Sequence, residues 1–487
     1  MTGTADETTY EPDPQRWKAL TVCLTAGFMT LLDVSIVNVA LPSIRAGLGA
    51  SDGELQWIVS GYALSFGLVL VAAGRLGDMR GRRTLFVVGV VVFTVSSMLA
   101  GIAPNPTWLV LARLLQGVGG GIINPQVSGL IQQLFRGQER GRAFGRLGTV
   151  IGISTAIGPV LGGALIAVFG VDVGWRWIFF VNVPVGALAI VLAYRYLPPS
   201  RRPTASGDRD LDPVGVLALG AGVVAILWPL VSGEAWRATD AIWIAAGLVI
   251  LGGFAWWERR YLARGRAPMV DVSLFRLASY TAGATLALVY FTGFTGIFFV
   301  LTLYFQNGLG YSPLLAGVAI TSFALGSAAA ALIGGRLVHR FGRSLVVAGL
   351  VLFIIGILVT DTVIDRHGAA SDLGWWTALP LLLAGLGSGL VISPNQTLTL
   401  AQVPIQRAGA AGGVLQTGQR LGTAAGIAAI GSLYFAGLRT TGDPAIAVSH
   451  GLRACAAITG LALLIGVTDL VRGARNNRAA LQGRAGQ

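Results

Sequence analysis

Runs of about 20 mostly apolar, uncharged residues follow one another along the chain, separated by short segments where arginine, glycine and proline concentrate. A helix needs about that length to cross a bilayer. On this basis spans are predicted near 18–41, 56–76, 84–103, 108–133, 145–168, 176–197, 214–232, 241–257, 280–306, 314–338, 344–363, 375–398, 409–436 and 453–471. The expected fold class is an all-α polytopic membrane protein with 14 transmembrane helices. The first run is too long for a signal-peptide core and no small-residue cleavage site follows it, so it is expected to remain as a span.

Composition agrees with this pattern. Charged residues make up 12% of the chain, against roughly 25% in a soluble domain. Cys23 and Cys455 lie in apolar surroundings and offer neither a disulfide framework nor a metal site. Loop charge sets the orientation. With the N-terminus inside, 26 of the 35 Lys and Arg residues fall in inside segments. Arg45, Arg176, Arg237, Arg366, Arg439 and Arg453 lie outside, and Arg75, Arg113 and Arg420 lie within spans. Such asymmetry predicts that the N- and C-termini are both cytoplasmic. It also accounts for the net charge of +13 without nucleic acid.

The chain repeats itself. GRLGDMRGRR at 74–83 matches GRLVHRFGRS at 335–344, GVGGGIINP at 117–125 resembles GLGSGLVISP at 385–394, and RLGTVIGI at 146–153 resembles RLGTAAGI at 420–427. Two halves of like orientation are a transporter design. The offset leaves room for two further helices, giving 6+2+6. The predicted organisation is an N-terminal cytoplasmic tail (1–17), a six-helix bundle (18–197), a linker with two inserted helices (198–278), a second six-helix bundle (279–471) and a basic cytoplasmic C-terminal tail (472–487).

Four motifs resemble those of the major facilitator superfamily, in its fourteen-helix drug:proton antiporter branch. LDVSIVNVALP (32–42) looks like the first-helix motif, GRLGDMRGRRTLF (74–86) the loop signature, LVLARLLQGVGGG (109–121) the fourth-helix motif, and GPVLGG (158–163) the fifth-helix antiporter motif, with Ser154 where a glycine often begins it. The resemblance implies a secondary exporter of lipophilic drugs or antibiotic-like compounds, driven by inward protons through rocking of two halves. It implies no cofactor beyond the proton gradient.

Asp33 is the candidate proton carrier. It lies nine residues before Pro42, roughly 13 Å below a helix end at that proline. A carboxylate at bilayer depth costs about 2.5–3.5 kcal/mol on insertion scales and faces a cavity or a partner. Burial favours its neutral form and a nearby guanidinium its charged form. Arg113, seven residues past Pro106, is at matched depth and is the candidate coupling residue. Asp33 is the only acid the spans place deep, Asp78 and Asp361 lying nearer span ends. Asn38, Gln116, Arg420, Tyr62 and Tyr290 are cavity or substrate candidates; Asn38 and Gln116 could equally tie helices together. Asp78 with Arg75, Arg82 and Arg83 is the candidate gating latch, closing a carboxylate onto an arginine or a helix N-terminus. Its second-half counterpart is His339, so the latch is asymmetric. Gly158, Pro159, Gly162 and Gly163 are hinge or packing positions.

Tyr62, Trp228, Tyr290, Phe291, Phe294 and Tyr304 are aromatic candidates for a pocket, and Trp175 and Trp177 for interfacial anchors. GVGGG and GLGSG follow no strand and carry no Walker lysine, so a nucleotide loop is excluded and with it a primary pump. No placed nucleophile–base pair or metal-ligand cluster suggests an enzyme. The leading expectation is a monomeric, multi-pass cell-membrane antiporter (the plasma or inner membrane) whose partners are protons, the lipid bilayer and a small lipophilic cargo, cationic compounds included. The alternatives are a proton-coupled importer or facilitator of a polar metabolite, and a non-transporting receptor or scaffold.

Overall fold

The computed structural model describes residues 12–199, 212–231, 238–266, 268–368 and 372–485, all helices and connections with no strand among them. The helices are α1 (Arg16–Leu48), α2 (Asp52–Arg80), α3 (Arg82–Gly101), α4 (Pro106–Leu134), α5 (Gly137–Phe169), α6 (Gly174–Phe180), α7 (Asn182–Tyr196), α8 (Pro213–Val231), α9 (Ala238–Ala263), α10 (Ala278–Leu303), α11 (Pro313–Phe341), α12 (Arg343–His367), α13 (Leu373–Thr399), α14 (Ala408–Thr441) and α15 (Pro444–Ala485). Taken together α6 and α7 make one span, giving, among the described residues, 14 spans long and apolar enough to cross a membrane. With an even number of such spans, the start of α1 and the end of the last span of α15 belong to one face, called here the termini face.

Local chemistry sets several ends. Asn105 accepts a hydrogen bond from the Trp108 N–H at 2.9 Å, and Pro106 follows it where a helix needs no N–H. Ser51 and Glu54 cap each other reciprocally at the start of α2. The repeat offset recurs in the backbone: Gly81 and Gly342 take φ of 100° and 53° in the one-residue turns from α2 to α3 and from α11 to α12. Only glycine adopts such angles without strain.

Three end points differ from expectation. Pro42 does not end the first helix, which runs on to Leu48. Proline removes one backbone bond, and the rest of the turn carries the helix through. Asp33 therefore lies 15 residues, about 22 Å, from that helix end rather than 13 Å. The sixth span breaks at Val181, between α6 and α7. Residues 472–485, expected as a tail, continue α15; the segments 1–11 and 200–211 of the tail and linker lie outside the described residues.

One buried core joins α1–α5 and α7, another joins α10–α15, and α8 and α9 pack beside α2 and α14. Small residues let the two groups meet. A Cβ on Gly74 would fall 2.3 Å from the Gly409 carbonyl, and one on Gly335 would fall 2.4 Å from that of Gly141. The repeated GRL glycine thus makes a close backbone approach on each side of the contact, α2 on α14 and α11 on α5.

Candidate functional site

Asp33 is fully buried at the centre of α1. Its Oδ2 accepts from Arg113 Nη1 at 2.5 Å. Its Oδ1 accepts from Gln116 Nε2 at 2.8 Å and Asn182 Nδ2 at 3.0 Å. Ser97 Oγ accepts from both of those amides, at 3.1 and 3.0 Å, and donates to the Phe179 carbonyl. Arg113 also donates to the Ile58 carbonyl and to Gln116, and its guanidinium lies 4.3 Å above the Tyr62 ring. One carboxylate therefore ties α1 to α4 and α7, whose amides carry the network on to Ser97 of α3. Such a charge persists in an apolar interior because it is both paired and hydrogen-bonded.

Sequence reading found Asp33, Arg113 and Gln116 but missed Ser97 and Asn182. Asn182 is the first residue of α7, immediately after the break at Val181. The break directs its amide inward; a polar residue beside Pro184 was the available signal. Asn38, by contrast, is exposed on α1 rather than tied to a neighbouring helix. Asp33 is not the one buried acid, although the others lie nearer helix ends. Asp212 and Glu258 are buried face to face at the adjoining ends of α8 and α9, both close to Gly215. Asp361 is buried against Ser449 and Arg453.

At the termini face Asp78 closes onto two groups at once. It accepts from Arg82 at 2.7 Å and from the Gly409 and Ala410 N–H groups at 3.1 and 3.0 Å. Those amides open α14, so the carboxylate sits on a helix N-terminus of the other group. Arg82 adds a bond to the Ile405 carbonyl at 2.5 Å. Arg83 turns away to the Tyr194 carbonyl and ring. Arg75 instead lines a cavity of about 540 Å³ with Arg266, Asp271 and Arg407, of which Arg407 and Asp271 form an ion pair. Gln396 and Gln416 both donate to Ser128 across the same interface. In the second half Arg343, the counterpart of Arg82, bonds Asp469 and Asn395 within its own group.

GPVLGG lies between α1 and α11. A Cβ on Gly158 would fall 1.8 Å from Ser35 Oγ, and one on Gly162 would fall 2.9 Å from Ile36. Pro159 faces Gly317 of α11. Gly163 meets only Leu314, at 3.8 Å, so close packing does not demand it. The helix runs unbroken through Pro159.

The aromatic candidates do not converge. Tyr290, Phe291 and Phe294 stack with Phe323 and Phe353 inside the α10–α13 core. Trp228 pairs with Trp57, and Tyr304 donates to the Gly368 carbonyl. Trp175, expected at an interface, is fully buried, whereas Trp177 is exposed. Arg420 of α14 lies 4.3 Å above Phe66 of α2. Its repeat counterpart Arg146 is exposed, over Trp17.

The family model for the Major Facilitator Superfamily matches residues 23–427 and 283–472. The probable actinorhodin transporter of Streptomyces coelicolor is 39% identical over 437 residues, 88% of this chain and 75% of that protein. The puromycin resistance protein of Streptomyces alboniger is 36% identical over 92% of this chain and 87% of its own length. Among solved structures, a proton:xylose symporter superposes with a TM-score of 0.65 at 16% identity, covering 92% of this chain and 94% of that one. A matched family model over most of the chain, relatives above 30% identity and the shared helical fold agree, and the chain belongs to the major facilitator superfamily.

Proposed function

We propose that this protein is a proton-coupled exporter of small lipophilic, antibiotic-like compounds, working by alternating access across a cell membrane with its termini face in the cytoplasm. The observation that carries the reading is the sealed Asp33–Arg113–Gln116–Asn182 network. A proton on Asp33 removes the charge that holds Arg113 and both amides, and frees α1 from α4 and α7. Motion of α1 passes to α5 through Ser35 and Ile36 against Gly158 and Gly162, and α5 contacts α11 through Pro159, Gly145 and Gly141. Asp78 and Arg82 hold the opposite group at the termini face. With that face closed, loading takes place from outside; opening it releases the proton inside and admits cargo.

Two relatives support the cargo class, the probable actinorhodin transporter and the puromycin resistance protein. The test is expression in a host lacking its own efflux pumps, scored across planar antibiotics and dyes. Reduced accumulation of several compounds, restored by a protonophore, is expected. Unchanged accumulation of the whole panel, or increased uptake, would replace export with import of a metabolite.

A further inference from the structure

We propose that the interface between the two helix groups takes, at Arg420, cargo bearing a negative charge beside an aromatic body, with Arg420 as its counter-ion; this rests on the exporter reading above. Arg420 lies twelve residues into α14, about 18 Å from its start. A cation at such depth marks a substrate or ion path unless a protein group compensates it. Among the described residues no acid pairs with Arg420, and its one ionisable neighbour is the Tyr62 hydroxyl. The buried acids are engaged elsewhere: Asp33 with Arg113, Asp78 with Arg82, Asp361 with Arg453, Asp271 with Arg407, and Asp212 against Glu258.

The Phe66 ring compensates one face of the guanidinium by cation–π attraction. The fork of N–H donors at its edge is then available to a carboxylate or phenolate in a two-point contact. The charge balance decides the sign. Both oxygens of Asp33 are occupied, so a cationic cargo meets a guanidinium and no open carboxylate. Polar groups flank the position: Gln416 one turn away on α14, and Thr423, bonded to Thr295 of α10. The Tyr62 and Phe66 rings, 5.9 Å apart, carry Arg113 and Arg420 respectively. The cargo charge thus sits next to the proton site.

The test uses the full chain in lipid nanodiscs and matched pairs of polycyclic aromatic carboxylates and their methyl esters, with binding read by tryptophan fluorescence. The acids should bind wild type at least tenfold more tightly than their esters. Arg420→Gln should weaken the acids at least tenfold and leave the esters within twofold, with Arg420→Lys between, the thermal unfolding of each variant confirming its fold. Equal binding of acids and esters to wild type, binding of neither, or parallel loss of both in Arg420→Gln would overturn the assignment. Should Arg420→Gln fail to fold, the acid-over-ester preference of wild type and its reduction in Arg420→Lys decide the matter. Acid-selective binding without export would refute the exporter reading and leave this one standing.

Discussion

The Asp78 side chain is 1% exposed and receives two backbone N–H groups from the start of α14. Replacing it with Asn removes the charge from a helix N-terminus and keeps one carbonyl acceptor. A hydrogen bond to a charged group contributes about 1.5–3 kcal/mol. Losing one of the two bridging bonds, with the rest weakened, shifts the open–closed balance at the termini face by roughly 10- to 150-fold, taking about 1.4 kcal/mol per tenfold. Spin labels at Arg80 and Gln406, both exposed on that face, would report the separation of α2 and α14 by electron–electron resonance. The two native cysteines are buried and leave such labelling clean. Wild type should give mainly a short distance, and Asp78→Asn a second, longer population. A distribution unchanged by the substitution would refute Asp78 as the latch.

Three further outcomes follow from the packing and the proton site. Gly158→Val should abolish transport, because its side chain enters the space of Ser35 and Ile36, whereas Gly163→Ala should transport normally; both are read by efflux at matched membrane abundance. Gly74→Val places atoms against the Gly409 carbonyl and should trap the termini face open, seen as faster alkylation of a cysteine introduced at Gln416. Asn182→Ala removes a donor to a buried carboxylate and should cost roughly 1.5–3 kcal/mol, seen as a lower unfolding temperature, with transport reduced rather than lost because Arg113 and Gln116 remain.

Fourteen spans were legible because hydrophobicity over about 20 residues is a property of the chain alone. The repeat was legible for a related reason: Gly81 and Gly342 occupy equivalent turns that demand glycine. What escaped depends on residues far apart in sequence. Asp33 stood out as a charge in an apolar run, yet Ser97 and Asn182 are ordinary polar residues until folding brings them 3.0 Å apart. The partners of Asp78 are backbone amides more than 300 residues away, and a backbone amide has no sequence signature. Pro42 misled because a membrane helix tolerates a proline that ends many soluble ones. Tyr290 was not readable as a core residue because a ring in a span reads alike whether it lines a cleft or fills a core.

The proposed drive for uphill export is a proton on Asp33. Reconstituted in liposomes under an imposed pH gradient, wild type should concentrate cargo against its gradient and collapse to equilibration when a protonophore is added. Asp33→Asn, folded and still binding cargo, should exchange cargo down its gradient yet fail to concentrate it. Uphill transport by Asp33→Asn at the wild-type rate would contradict the account.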